Sequence, residues 1–106
     1  KYSLKNLYIP LASLPKKNEV VKFKKDQKNK FVKFNWKSAS EIENSFIEVA
    51  ADPGFKNVLF SDETSKNSYS IDMAEGSYFW RVTVNYKGSK KYIKTNPEQF
   101  SVKYLN

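Results

Sequence analysis

The chain has 106 residues, 40% of them apolar and 16% aromatic, which is enough hydrophobic surface for one modest folded domain and too much for disorder. It contains no Cys and no His, so disulfides, thiolate or imidazole metal sites and the nucleophilic triads built on either residue are excluded. A net charge of +8 comes from 19 basic and 11 acidic residues, but only Arg81 is an arginine, the residue whose planar fork suits phosphate and base recognition.

Nucleic acid is therefore a disfavoured partner. The lysines form either a solvated surface or an anion-facing patch. No apolar run approaches the roughly 20 residues that span a bilayer. The chain opens KYSLKNLYIPL, with no start Met and no signal-peptide pattern, as an excised domain or a mature fragment would.

Taken in order, residues 1–18, with Pro10 and Pro15, read as an extended lead-in and residues 19–106 as the domain. VVKF at 20–23 is a weak strand signal. In FVKFNW at 31–36, Val32, Phe34 and Trp36 share one face, with Lys33 and Asn35 on the other. In SFIEVA at 45–50, Ile47 and Val49 face inward, because the reverse register would bury Glu48 without a partner. Phe46 must then point outward.

Asp52-Pro53-Gly54 forms a strong turn. Weaker strands follow at NVLF 57–60 and YSID 69–72. The stretch GSYFWRVTVNY at 76–86 aligns Tyr78, Trp80, Val82, Val84 and Tyr86 on one face, with Phe79, Arg81, Thr83 and Asn85 opposite, as a central strand would. KYIK at 91–94 and QFSVKY at 99–104 complete the set. No segment carries a capped helical stripe. Short strands at intervals of roughly 8–12 residues predict an all-β, antiparallel two-sheet sandwich.

These residues resemble a fibronectin type III domain, or more broadly an immunoglobulin-like sandwich. In that family a Trp lies on strand B, matched here by Trp36, and a tyrosine precedes an alternating run on strand F, matched by Gly76-Ser77-Tyr78-Phe79-Trp80-Arg81-Val82. The version found in bacterial envelope proteins is closer still: Pro15, Phe34 with Trp36, Ile47 with Val49 and Ala50, Asp52 with Phe55, and Tyr78 through Val82 fit its pattern over about residues 10–104. One position departs, since Ser45 stands where an aromatic is usual, with Phe46 beside it. The resemblance implies seven strands, with B and F central and Tyr78 at the tyrosine corner. It also implies a non-catalytic interaction or spacer module of a larger bacterial envelope-associated protein, at an extracytoplasmic address.

Tyr78, Trp80 and Trp36 are expected in the core, because large aromatics supply most of the buried area of a small sandwich. Phe46, Phe79 and Arg81 should face out of the sheet, with the two rings within reach of each other and Arg81 able to stack on either. Either the lead-in LYIPL or another domain covers them, or they form an exposed platform for a protein partner or a sugar ring. Lys87-Gly88-Ser89 occupies the F–G loop, where Gly88 suits a turn. Lys87, Lys90, Lys91 and Lys94 there can form a basic edge for a polyanion, whether nucleic acid or an anionic envelope polymer, or simply discourage sheet-to-sheet aggregation. Glu41, Glu43, Asp62 and Glu63 lack the spacing of a calcium loop or of a converging carboxylate pair. No catalytic residue, cofactor or metal is assigned.

Overall fold

A chain that alternates apolar and polar side chains must build strands that each bury one face against a second layer. The computed structural model describes residues 10–38, 42–88 and 92–106. Its strand segments are β1 (Leu11–Leu14), β2 (Glu19–Lys24), β3 (Phe31–Lys37), β4 (Ile42–Ala50), β5 (Val58–Thr64), β6 (Ser68–Asp72), β7 (Gly76–Tyr86), β8 (Tyr92–Lys94) and β9 (Glu98–Leu105). One sheet has the order β1-β3-β6. The larger has the order β2-β9-β7-β4-β5, with β8 also paired to β7. This is the expected all-β sandwich. Among the described residues no helix is long and apolar enough to cross a membrane.

Two details correct the simple seven-stranded antiparallel picture. Among the described residues the segments number nine because the first and last strands are each interrupted near a proline, which has no N–H to give a ladder. β1 pairs with β3 in the small sheet, the chain passes Pro15, and β2 then joins the large sheet. Residues 11–14, within the stretch expected as a lead-in, thus form an edge strand. At the other end β9 pairs with β7 over Gly76–Trp80 and β8 with β7 over Thr83–Asn85, with Pro97 in the break. Thr95 bridges the gap: its N–H donates to the Val82 carbonyl at 2.8 Å, and its Oγ1 accepts from the Val82 N–H at 3.0 Å. The second correction concerns direction. β2 runs parallel to β9, because it enters the large sheet by crossing from the small one and not through a hairpin.

β3 and β7 occupy the middle of their sheets, and their inward faces make the core. Phe34 meets Trp80 edge-on at 5.1 Å and Phe100 at 5.5 Å, while Tyr78 stacks on Phe100 at 5.5 Å. Each large ring removes roughly 150–250 Å² from water, worth at most about 4–6 kcal/mol. Against a total stability of about 5–15 kcal/mol, the chain cannot spend Trp36 and Trp80 on an exposed platform.

The Trp36 and Tyr78 polar tips find local partners, whereas the buried Trp80 Nε1–H has none among the described residues. The Trp36 Nε1–H donates to Ser45 Oγ at 3.3 Å, and both residues are buried. Ser45 therefore shares the inward face with Ile47 and Val49, and the small side chain in the aromatic's usual place leaves room for the indole. The Tyr78 hydroxyl donates to the Ala74 carbonyl at 2.7 Å, closing the expected tyrosine corner. Burial raises the Tyr78 phenol above its ordinary value, with the Tyr104 phenol adding a smaller push.

Candidate interaction face

The register of β4 against β7 sets the outer face of the large sheet. Phe46 lies opposite Thr83, Glu48 opposite Arg81 and Ala50 opposite Phe79. Phe46 points outward, as the parity of Glu48 requires. It does not meet Phe79, however, because Thr83, its partner on β7, lies four residues from Phe79, about 13 Å of strand. Glu48 and Arg81 fill the space between. Arg81 Nε donates to Glu48 Oε1 at 2.8 Å, and each side chain is 23% exposed.

Arg81 stacks on neither predicted ring. Its guanidinium lies over Phe55, 4.0 Å from the centroid. The Asp52-Pro53-Gly54 turn delivers Phe55 to that spot. The Phe55 N–H donates to the Asp52 carbonyl at 3.2 Å, and the Asp52 carboxylate accepts the N–H groups of Asn57 at 2.8 Å and Lys56 at 3.0 Å. Those backbone donors, Asn57 first, hold the Asp52 carboxyl below its usual value. Phe55 itself adopts a left-handed φ of 55° and is 8% exposed, although it lies outside the core cluster.

Beside this ion pair runs an open groove of about 540 Å³, lined by Phe46, Glu48, Ser61, Asp62, Glu63, Arg81, Thr83 and Lys94. Phe46 is half-buried, its ring tilted against Tyr92 at 5.9 Å, and Tyr92 is 56% exposed. Glu63 accepts a hydrogen bond from Asn44, and Asp62 accepts one from the Tyr69 hydroxyl. The Asp62–Tyr69 bond lowers the Asp62 carboxyl and raises the Tyr69 phenol from their ordinary values. Among the described residues no group of His, Cys, Asp or Glu is arranged to hold a metal ion.

Of the residues singled out in the sequence, Phe46, Arg81, Asp62, Glu63 and Lys94 come together in this groove. Phe79 is half-buried outside it, opposite Gln99 of β9. Lys87 and Gly88 form an exposed turn beyond β7, where Gly88 has a φ of 79°. Lys90, Lys91 and Glu41 lie outside the described residues. Residues 10–14 run with the small sheet and so do not cover this face. The sequence reading missed Phe55 and Tyr92, and it missed Glu48 as the partner of Arg81. A usable signal was present for the last: these are oppositely charged residues on the outward parity of two adjacent long strands.

No protein-family model matches the chain, and neither does any curated protein. Among solved structures it is similar to the fibronectin(III)-like modules of CbhA from Clostridium thermocellum, with a TM-score of 0.61 and 17% identity over 92% of this chain and 47% of that one. The buried Trp36, the closed Tyr78 corner, the two-sheet topology and this match together show that the chain has a fibronectin type III-like fold.

Proposed function

We propose that the chain is a non-catalytic interaction or spacer module of a larger bacterial envelope-associated protein, and that it presents the outer face of its large sheet to a protein partner or a neighbouring domain. The observation that carries this reading is the division of its aromatics. Trp36, Trp80, Phe34 and Phe100 are consumed by the gap between the sheets, whereas Phe46 and Tyr92 flank an open groove beside a fixed ion pair. An aromatic pair rimmed by mixed charge is the composition of a protein-contact surface. The likeness to modules that are about twice this chain's length when taken together supports the module reading. An extracytoplasmic address rests on the resemblance to envelope proteins.

The test is photo-crosslinking from position 92, and separately from position 46, in the protein that contains this chain, in its own cells. Specific adducts to a protein or domain from both positions are expected, with none from Ser70, exposed on the small sheet. Adducts from position 70 alone, or from no position, would overturn the reading.

A further inference from the structure

The positive charge of this protein is not spread along it. Residues 16–37 hold nine lysines against Glu19 and Asp26, a net +7, whereas residues 38–106 hold seven lysines and Arg81 against nine acids, a net −1. A lysine surplus set by composition alone would run evenly through both stretches. Here one segment, β2 with the following loop and β3, carries nearly the whole imbalance.

The fold sets β2 and the following loop along one margin of the sandwich, while β3 lies in the middle of the small sheet. On β2, Val21 and Phe23 pack toward the core, so Lys22 and Lys24 point out. Lys22 pairs laterally with exposed Lys103 of β9, which places two cations side by side. Lys25 continues the row, its N–H donating to the Leu105 carbonyl at 2.7 Å, and exposed Lys28 follows in the loop. Lys33 stands on the outer face of β3, around the turn. Among the described residues none of these six lysines forms an ion pair. Spacings of about 5 Å across strands and about 7 Å along them make an unneutralised row, and like charges held this close are unfavourable until an anion arrives.

We infer that this β2–β9 margin, with the 24–30 loop, binds a linear acidic polysaccharide. Lysine is a compact point charge that suits single, spaced anions, whereas nucleic-acid phosphates and bases favour the arginine fork. The margin offers no arginine and no row of aromatics on which bases could stack. Ser101 and Asn29 lie among the lysines and supply polar groups for sugar hydroxyls. The margin is separate from the Phe46 groove, because β9 and β2 flank β7 on one side and β4 and β5 on the other.

The experiment titrates the 106-residue chain with polygalacturonate, which carries one carboxylate per sugar, over a range of salt. Binding should weaken with a log–log slope of about −3, the release expected for four or five contacts at about 0.7 each. Lys22→Glu combined with Lys103→Glu should weaken binding at least tenfold, and the milder Lys22→Gln with Lys103→Gln at least threefold. Lys56→Glu combined with Lys66→Glu changes net charge equally and should alter binding less than twofold. Equal losses from the two Glu pairs, or no binding at low salt by a chain of native circular dichroism, would overturn the inference. So would tighter binding of an oligothymidylate or of polyglutamate of matched charge. None of these variants touches the Phe46 groove, so the crosslinking test stands or falls separately.

Discussion

Removing the Tyr78 hydroxyl, by Tyr78→Phe, isolates one bond that the fold reading depends on. The hydroxyl donates to the Ala74 carbonyl at 2.7 Å, while the ring stacks on Phe100, a contact that phenylalanine keeps. Ala74 is exposed, so its carbonyl can be rehydrated once the donor is gone. The loss should therefore be one net hydrogen bond, about 1 kcal/mol, and not the larger penalty of a stranded buried group. In a domain of this size that lowers Tm by about 4–8 °C. The same turn has further tethers: the Tyr104 hydroxyl donates to the Met73 carbonyl at 2.6 Å, and the Tyr104 N–H donates to Glu75 Oε2 at 2.9 Å. Tyr104→Phe should cost a similar amount, and the double variant should depart from additivity by about 0.5 kcal/mol, because both bonds fix residues 73–75. Guanidinium denaturation, with an unchanged m-value, is the assay. A Tyr78→Phe chain as stable as the parent, or strict additivity with Tyr104→Phe, would refute the claim that the corner pins this turn.

Ser45→Ala leaves the buried Trp36 Nε1–H without its acceptor and should cost about 1–2 kcal/mol in the same assay, a loss that Ser45→Thr partly spares. Gly76→Ala should cost about 1–3 kcal/mol, because Gly76 sits at a φ of 155° and an added Cβ would come within 3.3 Å of the Tyr78 hydroxyl. Acid sensitivity follows from Asp52 and Asp62, whose carboxyls titrate below the ordinary 3.8. Between the folded and unfolded values the unfolded chain binds more protons, so their contribution is present above about pH 4 and fades as pH falls through the folded values. Asp52→Asn should flatten the acid limb of a Tm-against-pH profile, and an unchanged limb would count against the turn described here.

Where side-chain parity carried the information, the sequence disclosed the fold closely. Five inward residues on β7 repeat at period 2, and Glu48 alone decides which way β4 faces, so both strands and the outward direction of Phe46 could be read without coordinates. The short β1 escaped because four residues between two prolines give too little alternation to register. The interruption at Pro97 was visible as a turn, but nothing local says that β8 and β9 lie along the same partner. The candidate face was harder still. Its assembly depends on cross-strand register, which separates Phe46 from Phe79 and brings Glu48 against Arg81. It depends also on Phe55, a loop residue with no periodicity to announce that it caps the guanidinium.

Two tryptophans are sealed between the sheets, and the chain has only Trp36 and Trp80 to report on that burial. Iodide quenching of intrinsic fluorescence therefore tests it directly. The folded chain should show blue-shifted emission almost immune to iodide, with quenching rising severalfold on denaturation. Red-shifted emission that iodide quenches as strongly in the native chain as in the denatured one would contradict it.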